Sequence, residues 1–349
     1  MKQISDILVE KVGAIGRIRL NRPKALNSLT LEMVQAISAA LTAFEADAGI
    51  AAVLITGEGE RGLCAGGDIR ALYDHGRDGS GFGETFFREE YRMNAQISHF
   101  KKPYIAIMSG IVMGGGVGVS AHGSVRIATD VTRMAMPETG IGFFPDIGAT
   151  YMLSHAPGEV GTFLGLTGDS FGGAEAVYAG LADYFVQNAE IQAFIGALEK
   201  LPATAKLADI QAIAAEFSEP PHPILATQRA EIDTLFAFDT MEEIVAALTA
   251  SGSAFAQKTL AVMAQKSPTS MKLTLKLLRV AKHDARLEDS LEREFICAQG
   301  VLASDEFYEG VRAAVVDKDR QPKWSPAKLS DVSATHVDSY FAHKVAKLF

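Results

Sequence analysis

Two carboxylates eight positions apart, Glu138 and Asp146, each follow a proline and stand among glycines in Met136-Pro-Glu-Thr-Gly-Ile-Gly-Phe-Phe-Pro-Asp-Ile-Gly148. Upstream lies a glycine cluster, Gly110-Ile-Val-Met-Gly-Gly-Gly-Val-Gly118. Carboxylates serve active sites as acids, bases and nucleophiles. Glycine lets a backbone approach a ligand closely or take a positive φ. The combination is an odd one to build for packing alone.

A second glycine loop, Cys64-Ala-Gly-Gly-Asp68, shares the setting of the first. Each ends an apolar strand and leads towards a helix, where peptide N–H groups point outward. Two such groups converging on one carbonyl oxygen form an oxyanion hole, worth about 3–4 kcal/mol per donor. One loop alone reads as a tight turn; the pair favours function. Gly57-Glu-Gly-Glu-Arg-Gly62 has dinucleotide-loop spacing, but no helix starts there and two acids occupy the phosphate position, so it reads as a surface loop. Cys64 has no histidine close by in sequence and reads as a small apolar residue. The eight histidines show no metal-ligand spacing, and the Ser120 and Ser154 contexts lack a nucleophile elbow.

The elements that must position these loops are legible in outline. Runs 7–12 and 15–20 predict a hairpin, followed by a loop at Asn21–Ser28. Thr30 is placed to cap a helix reaching about Asp47, with Val34, Ile37, Leu41 and Phe44 on one face. Apolar strands are expected at 52–56 and 103–108, and a strand pair at 125–129 and 133–136. Helices are expected at 84–99 and 114–122. This alternation predicts an α/β core. From about residue 190 strand-like runs stop, and helical segments follow near 204–216, 223–235, 241–250, 253–265, 269–281 and 286–303, punctuated by Pro202, Pro220, Pro223 and Pro268. The expected division is therefore 1–190 for the core and 191–349 for a helical region.

A net charge of −9 argues against nucleic acid or an anionic membrane as partner. Two distant cysteines suggest no disulfide framework, and no apolar run has transmembrane length. No presequence pattern opens the chain, so a cytoplasmic location is the expectation.

The segments Asn21-Arg-Pro-Lys-Ala-Leu-Asn27, Cys64-Ala-Gly-Gly-Asp68, Gly114-Gly-Gly116 and Met136-Pro-Glu138 resemble the signatures of the crotonase (enoyl-CoA hydratase/isomerase) superfamily. The resemblance implies a β/β/α-superhelix core and an acyl-CoA substrate. Backbone N–H groups at the positions matching Ala65 and Gly115 would hold the thioester carbonyl. Lys24, Ala25 and Leu26 match the segment lining the CoA adenine and phosphates. Gly67 and Asp68 would contact substrate. The position of a first hydratase glutamate is taken by Gly118; the second is Glu138. The Pro145-Asp146 pair, Phe87-Arg-Glu-Glu-Tyr91, and Phe307-Tyr-Glu-Gly-Val-Arg-Ala313 are similar to the branch that hydrolyses 3-hydroxyisobutyryl-CoA. That branch links Glu90, Gly115, Glu138 and Asp146 to binding or catalysis.

The resemblance thus implies a thioester hydrolase of valine breakdown. Glu138 would be nucleophile or general base, Asp146 would hold the substrate hydroxyl or orient water, and Glu90 would read the hydroxyl end. No cofactor or metal is implied beyond the substrate's own coenzyme A. Homo-oligomers are common in the superfamily, and the helical region would cover the site or mediate assembly. A hydratase or isomerase using Glu138 alone is the alternative within the superfamily. A catalytically silent CoA-binding scaffold is the alternative outside it.

Overall fold

The computed structural model describes residues 5–219 and 221–349; Met1–Ile4 and Pro220 lie outside the described residues. Among the described residues nine strands occur in chain order: β1 Ile7–Val12, β2 Ile15–Leu20, β3 Ala52–Gly57, β4 Gly62–Cys64, β5 Tyr104–Met108, β6 Ile111–Met113, β7 Val125–Thr129, β8 Arg133–Ala135 and β9 Tyr184–Val186. They form a six-stranded sheet ordered β1-β2-β3-β5-β7-β9 and a three-stranded sheet ordered β4-β6-β8. This is the α/β crotonase fold with a helical C-terminal region.

The chain divides into two compact units, each assembled from three stretches. The first holds residues 1–67, 92–134 and 171–224. Its large sheet begins with the antiparallel β1–β2 hairpin and is parallel from β2 to β9. The parallel strands read as unbroken apolar runs because both faces are covered: every residue of β5, Tyr-Ile-Ala-Ile-Met, is buried. Ile15, Leu54, Ile105, Ile127 and Val186 meet Phe194 and Leu198 of the Ile191–Leu198 helix in one core. Thr30 caps the Leu31–Ala46 helix, its side chain accepting from Met33 N. The expected boundary at 190 falls inside this unit, which keeps the helices Ile191–Leu198 and Leu207–Phe217.

The second unit holds residues 68–91, 135–170 and 225–349 and is helical. Its longest helices, Pro268–Ala281 and Leu287–Leu302, bury Leu273, Leu277, Leu278, Leu291 and Phe295. Ser267 caps the former, accepting from Ser270 N at 3.0 Å, and Pro268 occupies its first turn, where a missing N–H costs nothing. Phe87, Phe143 and Phe144 stack with centroids 5.3 and 4.6 Å apart, and Phe307 meets Phe143 edge-on. This aromatic cluster locks the loop between Glu138 and Asp146 to its neighbours. Among the described residues, no helix is long and apolar enough to cross a membrane.

Candidate active site

In the first unit the two glycine loops abut. A methyl group at Gly66 would lie 3.4 Å from Met113 O and 3.7 Å from Gly115 N. Gly114 takes φ 48, ψ −122, a region closed to other residues, and turns the chain from β6 into the short Gly115–Gly118 helix. The helix expected to run to His122 stops at Gly118 and continues as turns. Gly116 is required by approach: a Cβ there would sit 2.2 Å from Cys64 O. Gly118 packs fully buried and donates to Gly114 O at 3.2 Å.

One expected donor is corrected. Ala65 N–H is already given to Leu26 O at 3.0 Å, which ties the Pro23–Ala25 turn to the glycine loop and removes Ala65 from the set of free donors. Three residues beyond Leu26, Leu29 N donates to Gly66 O at 2.8 Å, and that bridge leaves the Gly67 N–H without an acceptor among the described residues. Gly115 N–H is likewise without one. The available pair is therefore Gly67 and Gly115. Gly66 stands between them at φ 115, which breaks the regular alternation of an extended strand, so the Gly67 N–H does not follow that of Ala65.

Lys24 and Ala25 lie exposed on the Pro23–Ala25 turn, and Leu26 closes it at φ 54. Buried Asn27 pins this loop, donating from Nδ2 to Glu58 O and Gly62 O and accepting from Arg22 N. The 57–62 loop leads into β4 and not into a helix, as its two acids and the residues after it suggested in spite of its glycine spacing. Cys64 Sγ is buried and bonded within its own loop to Gly66, a structural place.

In the second unit Glu90, Glu138 and Asp146 are 2, 6 and 5% exposed. Burial raises all three carboxyls above their ordinary range; for Glu90 and Glu138 the nearby Asp146 adds to the rise. Like charges brought together out of water resist simultaneous ionisation. Glu90 Oε1 and Glu138 Oε2 are buried without a hydrogen-bond partner, whereas Asp146 Oδ2 accepts from Tyr91 Oη at 2.6 Å. A buried orphan acceptor is costly unless something else is to fill it. Asp146, pushed up to about 7, can take or give a proton near neutral pH. Asp68 caps the Ile69–His75 helix, accepting from Ala71 N at 3.2 Å. Among the described residues no group of three or more His, Cys, Asp or Glu is arranged to hold a metal ion.

Three contributors were not readable beforehand. Tyr91, expected only to pack, carries the hydrogen bond to Asp146. Fully buried Glu294, 146 residues from its partner, accepts from Gly148 N at 2.7 Å, from Thr150 N at 3.0 Å and from Thr150 Oγ1. Burial pushes its carboxyl up to about 8, against those hydrogen bonds. Lys266 brings its ammonium to the Glu138 turn. Nothing in the local sequence marks Glu294 or Lys266, since both act across long separations.

With fold and geometry in hand, comparison defines the class. The Enoyl-CoA hydratase/isomerase family model matches residues 15–341. The chain belongs to this family, the crotonase superfamily, and is an acyl-CoA enzyme. Among its relatives, the 3-hydroxyisobutyryl-CoA hydrolase, mitochondrial, of Danio rerio is 42% identical over 97% of this chain and 90% of that protein. The Homo sapiens protein of the same name is 39% identical over 96 and 88%. A solved structure described as a carnitinyl-CoA dehydratase from Mycobacterium thermoresistibile superposes with TM-score 0.93, at 44% identity and 99% coverage of both chains. An enoyl-CoA hydratase from Rhodobacter sphaeroides 2.4.1 gives TM-score 0.88, at 40% identity and 97% coverage of both.

Proposed function

We propose that the protein hydrolyses a short branched 3-hydroxyacyl-CoA thioester, with 3-hydroxyisobutyryl-CoA as the preferred substrate. The observation that carries the reading is the buried pair in the second unit: Glu138, with an unpartnered oxygen, and Asp146, held by Tyr91. Similarity to the hydrolases named above, over nearly the whole chain, supports it. Gly118, where a second glutamate would serve hydration, supports it further.

In this reading the N–H groups of Gly67 and Gly115 polarise the thioester oxygen and take up the negative charge of the tetrahedral intermediate. Glu138 attacks the carbonyl carbon; collapse breaks the C–S bond, giving a mixed anhydride and a CoA thiolate that takes a proton. Water then opens the anhydride, returning the carboxylate and releasing the hydroxy acid. If Glu138 is instead the base, it takes a proton from the attacking water and no anhydride forms. Asp146 orients the substrate hydroxyl or the water, and Glu90 pairs with the hydroxyl end. A site built around that hydroxyl discriminates strongly against substrates lacking it. Lys24, Ala25 and Leu26 hold the nucleotide end of CoA.

A hydratase or dehydratase reading is favoured by one observation, the descriptions of the two solved structures at 44 and 40% identity. The experiment that decides offers 3-hydroxyisobutyryl-CoA and crotonyl-CoA in parallel, following free thiol and loss of the conjugated double bond. Thiol release from the hydroxy substrate is expected. Double-bond loss without thiol release would replace the hydrolase reading with hydration. Single turnover in ¹⁸O-water then separates the two roles of Glu138: label in the enzyme carboxylate means anhydride.

A further inference from the structure

A buried glutamate cannot attack a carbonyl while it holds its proton. Burial, Asp146 and Glu90 favour the protonated form of Glu138, while a hydrogen bond from its own backbone and the charge of Lys266 act the other way. One cation of the second unit is built onto the Glu138 turn. Lys266 stands between the Ala254–Met263 and Pro268–Ala281 helices. The backbone of the next residue is fastened to the turn, Ser267 N donating to Thr139 O at 3.0 Å. Lys266 N is tied to Met263 O, also at 3.0 Å. The ammonium occupies room left by two glycines: methyl groups at Gly140 and Gly168 would lie 3.6 and 3.5 Å from Nζ. The Gly168 methyl would also lie 3.0 Å from Pro137 Cα, so Nζ stands beside the residue preceding Glu138.

We propose that Lys266 is a positioning residue for Glu138, the counter-charge that presents it as a carboxylate, and that Asp169 tempers this charge. The charged groups around the pair fit that role. Glu138 faces Asp146 and Glu90, which oppose its ionisation, and Lys266, which favours it. Lys266 faces Asp169 and Glu138. It is half-buried and shares a cavity of about 440 Å³ with Arg320 and Trp324. Glu306, the acid bonded to the neighbouring Ser267, is engaged by that hydroxyl and by Ser325 N. Both neighbouring side chains of the carboxyl cluster, Asp146 and Glu90, act against charge, so the side chain that favours it comes from outside the cluster. Partial burial lowers the ammonium's own affinity for its proton, which makes an ionised partner more valuable to it.

The inference rests on the hydrolase reading only for the step it serves, and its first readout needs no substrate. Protein labelled with ¹³C at the glutamate carboxyls is titrated by NMR, with the Glu138 signal assigned by its absence in Glu138→Gln. Lys266→Met should raise the Glu138 midpoint, Lys266→Arg should restore it, and Asp169→Asn should lower it. The acid limb of kcat for thiol release should move in the same directions. Lys266→Gln gives the same readout should the methionine variant prove unstable. Unchanged Glu138 midpoints in Lys266→Met or Lys266→Gln would overturn the proposal. Shifted midpoints in a protein that releases thiol from no acyl-CoA would instead retire the hydrolase reading and leave the pairing standing.

Discussion

Tyr91 Oη donates to Asp146 Oδ2 at 2.6 Å, while the residue before it, Glu90, keeps Oε1 buried and unpartnered. Two consecutive residues of one helix thus do opposite things: one completes an acid, the other leaves an acceptor open. The hydrogen bond works against burial, because it favours the ionised form of Asp146. Its removal in Tyr91→Phe should push the Asp146 carboxyl further up. A hydrogen bond to a charged group contributes about 1.5–3 kcal/mol, or roughly one to two pH units. If turnover uses ionised Asp146, the acid limb of kcat moves to higher pH by that amount while the maximum changes less. An acid limb unmoved in Tyr91→Phe would show that the tyrosine only packs.

Glu294 makes a stability prediction whose sign can be worked out. Its carboxyl is raised to about 8 in the fold, against an ordinary glutamate value of 4.5. The folded state therefore keeps a proton that the unfolded chain has lost. The stabilisation is complete below about pH 4.5 and declines as pH rises through 8, by up to about 4–5 kcal/mol. Glu294→Gln cannot titrate, so the gap between wild type and variant in urea unfolding should narrow from pH 5 to pH 8. Parallel curves would show that the three hydrogen bonds hold Glu294 ionised throughout. Glu294→Ala strips the acceptor from Gly148 N and Thr150 N and should cost about 2–5 kcal/mol.

Glu138→Gln keeps shape and burial and removes charge and nucleophilicity. kcat for thiol release should fall by about 10²–10⁴-fold, with far-UV circular dichroism unchanged. Asp146→Asn should also lose kcat, and KM should rise if Asp146 holds the substrate hydroxyl. Near-normal hydrolysis in either variant would remove that residue from its assigned role.

How far these relationships could be read in the chain depends on their range. The β1–β2 hairpin, the Thr30 cap and the C-terminal helices are local, set by turn glycines, a capping side chain and apolar periodicity, and the expected spans lie close to the observed ones. Glu138 and Asp146 were visible as candidates because each sits in an unusual Pro/Gly context. The choice between Ala65 and Gly67 was not visible, because it turns on which amide the Leu26 carbonyl takes, a pairing 39 positions away. Glu294 and Lys266 look like ordinary solvated residues of a helix and its connector. Only the tertiary path brings them to Gly148 and to the Glu138 turn. Each compact unit is likewise stitched from three separate stretches, which only the tertiary path brings together.

The glycine triplet offers a last test, in which two glycines of one unit should respond in opposite senses. At Gly116 a Cβ would sit 2.2 Å from Cys64 O and 2.9 Å from Cys64 C, both backbone atoms that cannot swing aside. Gly116→Ala must therefore move the helix start away from β4, at a cost of about 1–3 kcal/mol or more. The Gly115 N–H, one residue upstream, would shift with it. Gly196 lies within the Ile191–Leu198 helix, and a Cβ there meets nothing within 4 Å. Gly196→Ala should stabilise by about 0.5–1 kcal/mol, because alanine has less freedom to lose in a helix. Thermal unfolding of both variants checks the pair. Thiol release should drop in Gly116→Ala more than its stability loss accounts for at a temperature where it remains folded, and stay level in Gly196→Ala. A Gly116→Ala protein with wild-type turnover would show that the close approach to Cys64 does not set the donor's place.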